Sequence, residues 1–243
     1  MVRAVLKMKV REFERKDQDA AFAIWKHGMS VDLNKHWMDW ILNQHHIRVI
    51  ILLMPVFVHH LGFSTSLLQG LFYSTLPSGI LLAFLRLMVH LTNKDYVKSR
   101  KDMLDIETHH GKRFLVAEGD NGEILGTIVY VEKPHITHFK GKKIEGKSWE
   151  MFSMSVKHSA RRLGVAHKLL GDLEMRARKE NVEVIVFDAS TPQVPAVKFY
   201  KKFGYDWELE NFPTLGRKFP ERQIADFFFW FCRMNIIKFY KKI

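Results

Sequence analysis

The chain is 243 residues long, which suits one domain with extensions or two small domains, and it has 38 Lys and Arg against 26 Asp and Glu. The net charge of +12 favours an anionic partner, which could be nucleic acid, a membrane surface, a cofactor or a substrate. The single cysteine, Cys232, excludes an intramolecular disulfide and a cysteine-rich zinc site.

The first predicted elements lead into a long apolar block. Val5 to Glu12 alternates imperfectly between apolar and polar residues, which predicts a strand. The next segment predicts a turn and an amphipathic helix, with Asp17 or Asp19 as its cap. Apolar residues then fill 49–58 and 67–91, and the charged segment that follows is predicted to be helical through about residue 106.

The second half of the chain alternates strands with helices. A hairpin is predicted over 114–131, because the Asp-Asn-Gly sequence at 120–122 supplies turn residues between two alternating runs. A basic loop at 133–148 comes next. The remaining predicted elements are a strand at 149–156, a helix to about Asn181, a buried strand VEVIVFDAS, a short helix PAVKFYKKFGY, and a strand-like start to an aromatic and basic tail from Trp207. This order, with one antiparallel hairpin, predicts a mixed α/β sheet with helices packed against it.

One segment, SARRLGVAHKLL at 159–170, connects a strand to a helix within a few residues. Gly164 has no Cβ and Ala166 is nearly as small, so a ligand could approach the backbone closely. The first amides of a helix have no internal partners and lie at its positive end, where they can bind phosphate. Arg161 and Arg162 add positive charge. The pattern predicts a pyrophosphate site, and the alternative is an ordinary helix start with solvated arginines.

The spacing Arg-x-x-Gly-x-Ala at 161–166 resembles the acyl-CoA-binding motif of the GNAT acetyltransferase superfamily. That superfamily has a strand before the motif, an amphipathic helix after it, a further strand and a short helix that carries a tyrosine. The same order occurs here, and the ending Ala-x-x-Phe-Tyr-x-x-Phe-Gly-Tyr at 196–205 is similar to the superfamily pattern. The resemblance implies a splayed α/β sheet of the GNAT type and acetyl-CoA as co-substrate.

By this resemblance, the pantetheine of acetyl-CoA pairs with the backbone of the strand before the motif, at Met154, Ser155 and Val156. The pyrophosphate meets the amides of the turn, which comprises Arg161, Arg162, Leu163, Gly164, Val165 and Ala166. No metal is implied. Three adjacent histidine pairs agree with that expectation, because neighbours in sequence do not share a helix or strand face.

Acetyl transfer to an amine needs one group that accepts the proton of the amine and another that protonates the departing thiolate. Tyr200 resembles the family tyrosine that is usually assigned the proton-donor role, although it could instead be a packing residue. Glu150 resembles a family glutamate that is a candidate base, or else it is a solvated carboxylate at a strand start. Gln193 could anchor the cofactor or the strand end, or begin a helix. Asp188 could be structural or contact the substrate.

Ordinary members of this superfamily lack the apolar block. A single membrane crossing would separate the first strand from the sheet that it must join, so an even number of crossings or a re-entrant hairpin is required. The first arm has only about 10–15 residues, whereas a full span needs about 20. Residues 62–66 form a natural bend. The sequence predicts a membrane hairpin over 47–91 inserted in a single domain over 1–243, and the alternative is a buried helical pair.

With this hairpin the chain is similar to the N-acetyltransferase 8 family, membrane-bound enzymes that include cysteine S-conjugate and aspartate N-acetyltransferases. The similarity extends over about residues 8–207, and the loop at 133–148 departs from it. The segment 208–243 is expected to be a C-terminal extension, either a last strand and helix on the sheet or an interfacial helix. Lys and Arg flank the hairpin on both sides, which favours cytosolic ends. The resemblance therefore implies an endoplasmic reticulum membrane with a cytosolic catalytic domain.

The leading hypothesis is a membrane-bound, acetyl-CoA-dependent N-acetyltransferase that acts on the amine of a small amino acid or cysteine S-conjugate. An anionic acceptor would suit the loop lysines, which are Lys140, Lys142, Lys143 and Lys147. The alternatives are a protein lysine N-acetyltransferase of the endoplasmic reticulum and a non-catalytic acyl-CoA-binding membrane module. Nucleic-acid binding is not expected, because the chain has no stacking-aromatic or recognition-helix pattern.

Overall fold

A computed structural model of the protein describes residues 7–133, 136–140, 142–211 and 227–243. In these residues, a seven-stranded sheet has the order β1-β2-β3-β6-β7-β9-β8, and β4 and β5 form a separate hairpin. Neighbouring strands are antiparallel except β6 and β7, which are parallel. The strands are β1 (Met8–Glu12), β2 (Phe114–Gly119), β3 (Ile124–Lys133), β4 (Ile136–Phe139), β5 (Lys142–Glu145), β6 (Ser148–Val156), β7 (Val184–Ser190), β8 (Asp206–Asn211) and β9 (Asn235–Lys242).

The helices follow the predicted order and flank the sheet. A five-residue π-helical segment, Gly28–Asp32, joins the first two, and a bend over 61–66 separates the third from the fourth. The helices are α1 (Gln18–His27), α2 (Leu33–Leu42), α3 (His45–His60), α4 (Leu67–Tyr73), α5 (Thr75–Ser99), α6 (Ile106–His109), α7 (Val165–Lys179) and α8 (Val194–Lys202). The prediction of a mixed α/β sheet flanked by helices is confirmed.

The structure adds detail to two predicted segments. The segment 133–148, which was predicted to be a loop, contains the β4–β5 hairpin. The sequence did not reveal this hairpin, because basic residues follow β4 and obscure its alternation. Phe139 of this hairpin stacks on Tyr240 with ring centroids 4.8 Å apart. Within the described part of 208–243, β9 lies between β7 and β8 in the sheet. An interfacial role for the helical residues 227–231 stays a prediction.

The two faces of the sheet carry different helices. Leu115, Ala117 and Ile128 lie in the hydrophobic cluster that contains the buried face of α7. The alternate residues Phe114 and Val116 lie in the cluster that contains α1, so α1 and α7 cover opposite faces. Tyr200 on α8 belongs to the same cluster as α7, so the predicted proton donor and α1 are on different sides of the sheet.

Gly126 on β3 allows α7 to pack closely. A Cβ at this position would lie 2.9 Å from the Ser155 carbonyl oxygen and 2.9 Å from Val165 Cγ1. Real Cβ atoms do not approach other atoms so closely, so a larger residue would force β6 and α7 away from β3. The start of α7 is therefore fixed against the sheet by a residue on a neighbouring strand.

The apolar helices form a second packed region. Its buried cluster comprises Leu33, Trp37, Ile41, Ile47, Leu85, Val89, Phe228, Phe229, Cys232 and Met234. A short helical segment at 227–231 thus packs against α2 and α5, and His46 Nε2 lies 2.6 Å from the Phe231 carbonyl oxygen. The opposite side of this region exposes many large apolar side chains, including Leu52, Leu53, Phe57, Phe63, Leu68, Leu71, Phe72, Leu76, Ile80 and Phe84.

Candidate functional site

The strands β6 and β7 separate soon after they meet. Their parallel pairing covers only three positions and ends at Glu150, which is opposite Val186. Beyond this point β6 stays paired with β3 as far as Val156, and β7 stays paired with β9 as far as Ser190. The facing edges of β6 and β7 are therefore free to bind an extended ligand through their backbone groups. The predicted pantetheine residues, 154–156, lie along this opening.

A bulge interrupts β6 within the opening. Val129 of β3 pairs with Phe152, and Thr127 pairs with Ser155, so one residue of β3 faces two residues of β6. Ser153 occupies the bulge with φ of +53°, a left-handed conformation that is uncommon for residues other than glycine. The bulge thus changes the direction of the strand at the place where its outer edge becomes free.

The turn before α7 lies at the end of β6. Gly164 has φ of +89° and directly precedes the first helical residue, Val165, which is buried. A Cβ at Gly164 would have no atom within 4 Å, so the space in front of the turn is open. Arg162 is also left-handed, with φ of +62°, and its side chain is exposed. The structure thus places the predicted pyrophosphate residues around one open helix N-terminus.

Arg161 has a protein partner that the sequence did not suggest. Its guanidinium makes a two-pronged ion pair with Asp32, in which Nη1 lies 3.2 Å from Oδ1 and Nη2 lies close to Oδ2. His27 and His158 lie near the same carboxylate, with ring nitrogens 3.8 Å and 3.9 Å from its oxygens. These three side chains could offer atoms to a metal ion, but Asp32 is already neutralised by Arg161. The ion pair ties the π-helical segment to the turn before α7.

Tyr200 lies on the α7 side of the sheet. Its ring packs edge-on against Phe187 at a centroid distance of 4.5 Å and also contacts Phe199 and Phe239. Burial raises the pKa of Tyr200, which keeps the phenol protonated but makes it a weaker acid. The packing alternative considered for this residue therefore describes its ring, and its role as a donor stays a prediction.

Two carboxylates lie on the other face of the sheet. Glu150 and Val186 are opposite each other, and Asp188 is two residues beyond Val186, so both acidic side chains are on the face that α1 covers. Glu150 pairs with Lys133 Nζ at 2.7 Å. Asp188 is exposed at the surface, yet desolvation by the surrounding protein raises its pKa to about 6, with Glu150 and Glu210 contributing and Lys238 opposing. The raised pKa makes Asp188 a candidate proton acceptor beside the opening.

Gln193 connects the end of β7 to the start of α8. Its side-chain Oε1 accepts a hydrogen bond from the Ser190 amide at 2.9 Å, and its own amide donates to the Ser190 carbonyl at 2.9 Å. These two hydrogen bonds agree with two of the roles predicted for Gln193, which are anchoring the strand end and beginning the helix. Its contact with the cofactor stays a prediction.

Of the basic residues predicted to receive an anionic acceptor, Lys147 contacts Glu180, the residue that directly follows α7. Lys147 Nζ donates to the Glu180 carbonyl oxygen at 3.2 Å and pairs with the Glu180 carboxylate at 3.6 Å. Lys140 is exposed beside the ring of Phe139. The side chains of Lys142 and Lys143 lie outside the described residues.

A sequence model of the acetyltransferase (GNAT) family matches residues 84–205, which is half of the chain. The protein therefore belongs to the GNAT acetyltransferase family, whose members use acetyl-CoA as the acetyl donor, and it is an acetyltransferase. The fold is similar to that of Ard1 from Thermoplasma volcanium, with a TM-score of 0.50, 14% identity, and 97% of each chain covered. It is also similar to a GNAT-family acetyltransferase from Staphylococcus aureus Mu50, with a TM-score of 0.50, 12% identity, and 97% of this chain and 99% of that chain covered. A comparison with curated proteins finds no match.

Proposed function

We propose that this protein is a membrane-bound, acetyl-CoA-dependent N-acetyltransferase whose acceptor is the amine of a small amino acid or a cysteine S-conjugate. The observation that carries the proposal is the opening between β6 and β7, which ends at Gly164 and the N-terminus of α7. An extended thioester donor can lie along the free strand edge with its pyrophosphate at the helix amides. The acceptor class rests on the resemblance to the N-acetyltransferase 8 family.

The proposed reaction uses groups on both sides of the opening. The neutral amine attacks the thioester carbonyl, a C–N bond forms and the C–S bond breaks, and the amine loses one proton while the thiolate gains one. Asp188, with Glu150 beside it, is suited to accept the proton of the amine because its pKa is raised to about 6. Tyr200, on the opposite face, stays protonated and would donate a hydrogen bond to the developing thiolate.

Membrane attachment is supported by the apolar helices. The stretch Leu68–Ser99 is long and apolar enough to cross a membrane, with a mean hydropathy of 1.5, and only 17% of its most apolar window is buried. The preceding α3 has 16 residues and is about 24 Å long, which is shorter than the roughly 30 Å hydrocarbon core. We therefore propose a hairpin with one short arm, on the endoplasmic reticulum, with the catalytic domain on the cytosolic side.

The test is acetyl transfer by membranes that contain the full chain. Membranes with the wild-type chain are expected to consume acetyl-CoA and acetylate amino acids or cysteine S-conjugates, whereas an Asp188→Asn/Tyr200→Phe double variant is expected to lose turnover. Acetylation of lysine peptides alone would favour a protein acetyltransferase, and acetyl-CoA binding without turnover would favour a non-catalytic module. Recovery of the chain in the soluble fraction after carbonate washing would contradict the membrane assignment.

A further inference from the structure

Two histidines and a carboxylate meet between the end of α1 and the turn before α7. His27 Nε2 lies 3.8 Å from Asp32 Oδ2, and His158 Nδ1 lies 3.9 Å from Asp32 Oδ1. One ligand atom of each residue lies within 4.8 Å of the other two. The two imidazole rings are edge to face, with centroids 6.2 Å apart. Imidazole nitrogens and a carboxylate oxygen are a ligand set that suits Zn²⁺.

The π-helical segment brings two of these ligands together. His27 directly precedes Gly28–Asp32, and Asp32 is the last residue of this segment. In a regular α-helix, residues five apart are rotated by about 140° from each other, so their side chains would diverge. The i→i+5 hydrogen bonds of a π-helix widen the turn and put residues 27 and 32 on one side of it. Such turns are rare and occur frequently at functional sites.

The backbone around the cluster is held in place, whereas its two imidazoles can move. Gly28 packs so closely on β6 that a Cβ would lie 3.2 Å from Ser155 Oγ. His158 begins a short 3₁₀ turn whose last residue, Ala160, is buried. The Asp32 side chain is only 13% exposed, but His27 and His158 are exposed. A fixed carboxylate is thus flanked by two histidines that can rotate towards a shared ion.

The separations are close to those around a bound zinc ion. Bonds of about 2.0–2.2 Å put the nitrogen and oxygen ligands of a tetrahedral zinc ion about 3.3–3.5 Å from one another. The two distances to the carboxylate, 3.8 Å and 3.9 Å, exceed this range by about 0.5 Å. Small rotations of the exposed imidazoles close this difference, and water can take the fourth position.

Arg161 competes with a metal ion for the same carboxylate. Its guanidinium pairs with both oxygens of Asp32. An ion bound by Asp32 neutralises the carboxylate, so the ion pair weakens and the guanidinium becomes free. Arg161 lies in the turn before α7, at which the pyrophosphate of the donor is expected. A free guanidinium there attracts an anionic ligand more strongly than one that is already paired.

We propose that His27, Asp32 and His158 form a Zn²⁺ site that takes Asp32 from Arg161 and thereby tightens binding of the acetyl donor. The metal site does not depend on the proposed function, whereas its effect on the donor rests on that function. Because the two binding events are linked, zinc and the donor raise each other's affinity by the same factor. The ion is an effector of donor binding and does not contact the reacting atoms.

The first experiment titrates Zn²⁺ into the full chain in detergent, without acetyl-CoA, in competition with a fluorescent zinc chelator. His27→Gln, His158→Gln and Asp32→Asn are each expected to weaken zinc binding at least about tenfold, since even changes behind the ligands cost about 10–100-fold. Arg161→Gln removes the competing cation and is expected to tighten zinc binding about three- to fivefold. His109→Gln, which changes an exposed histidine outside the cluster, is the matched control and is expected to bind zinc like the wild type.

The second experiment measures the Kd of acetyl-CoA with and without Zn²⁺. Zinc is expected to tighten acetyl-CoA binding by the wild type about three- to fivefold, which is the factor by which the ion pair with Asp32 holds Arg161 back. This gain is expected to disappear in His158→Gln, which lacks a ligand, and in Arg161→Gln, which lacks the released guanidinium. A gain that persists in Arg161→Gln would show that the release of Arg161 is wrong.

The outcomes separate this inference from the proposed function. The two histidine variants change exposed side chains and are expected to fold like the wild type, so their zinc affinities are decisive. If they bind zinc as the wild type does, or if His109→Gln loses as much affinity as they do, the site is wrong. Weaker zinc binding by Arg161→Gln would also overturn the inference. If the wild type binds neither acetyl-CoA nor free CoA, the proposed function is wrong, and the first titration still decides the metal site.

Discussion

The sheet and the apolar helices use the same kinds of residue in opposite ways. Between the sheet and α7, large side chains such as Trp149 and Phe239 on strands and Leu169 on the helix are fully buried. On α3, α4 and α5, comparable side chains such as Leu68 and Phe72 are mostly exposed. Leucine does not gain stability from facing water, and these exposed residues form the apolar surface that we propose lies in a membrane. The amino-acid composition of a segment therefore does not predict whether its large apolar side chains are buried.

The helix α5 has both buried and exposed apolar side chains. Leu85 and Val89 are buried against α2 and the segment 227–231, and Asn93 donates a hydrogen bond to Asn34 Oδ1 at 2.6 Å. Leu76, nearer the start of the same helix, is exposed. One face of α5 therefore packs against the rest of the protein, while residues such as Leu76 are exposed in the part of the chain that the structure describes.

The largest expected effect lies in the sheet. Gly126→Val is expected to lower the free energy of unfolding by more than about 3 kcal/mol, because even a Cβ at this position would meet Ser155 backbone and Val165. The measurement is chemical or thermal unfolding in detergent. Gly171→Ala, on the helix that would be displaced, is the matched control. It meets no atom within 4 Å and is expected to stabilise α7 by about 0.5–1 kcal/mol.

A pair of leucines on α5 tests the comparison directly. Leu85 is 1% exposed and Leu76 is 71% exposed. Leu85→Ala is expected to cost about 3 kcal/mol, because it opens a cavity in a packed cluster. Leu76→Ala is expected to change the free energy of unfolding in detergent by less than about 0.5 kcal/mol. Equal costs at the two positions would show that the exposed face has a protein partner.

The sequence predicted the site best where its geometry is local. The strand β6, the left-handed Gly164 and the start of α7 lie close together along the chain, and short-range pattern defines them. Contacts between distant segments were not predictable. Arg161 lies 129 residues from Asp32, and nothing in the sequence around Asp32 marks it as a partner. The left-handed conformation of Ser153 likewise depends on where β6 bulges against β3.

The pH dependence of the reaction shows whether Asp188 or Glu150 is the general base. A carboxyl with a pKa raised to about 6 is deprotonated above that pH, so kcat/KM is expected to rise through pH 6 and to level off. Asp188→Asn is expected to lower the maximum kcat/KM by about a hundredfold and to remove its rise through pH 6. Glu150→Gln is expected to have a smaller effect. If the two variants lose similar amounts of kcat/KM, and kcat/KM of Asp188→Asn still rises through pH 6, the base role belongs to Glu150.

The same carboxyl also makes a prediction for stability. Because its folded pKa is above its unfolded value, Asp188 favours the fold when protonated, and this contribution is lost as the pH rises through about 6. At pH 8, the Asp188→Asn variant is therefore expected to have a lower kcat/KM but a higher free energy of unfolding than the wild type. A structural carboxylate would show the opposite change in stability.

The smallest expected effect is at the junction of the two regions. The ion pair between Asp32 and Arg161 links the segment that leads into the apolar helices to the turn before α7. A double-mutant cycle of Asp32→Asn and Arg161→Gln is expected to give a coupling energy of about 1 kcal/mol, which falls at high salt. Because Arg161 is already paired while Arg162 is exposed, Arg162→Gln is expected to weaken acetyl-CoA binding more than Arg161→Gln does. The reverse order would mean that Arg161 leaves Asp32 when the donor binds, so that donor binding loosens the connection between the sheet and the apolar helices.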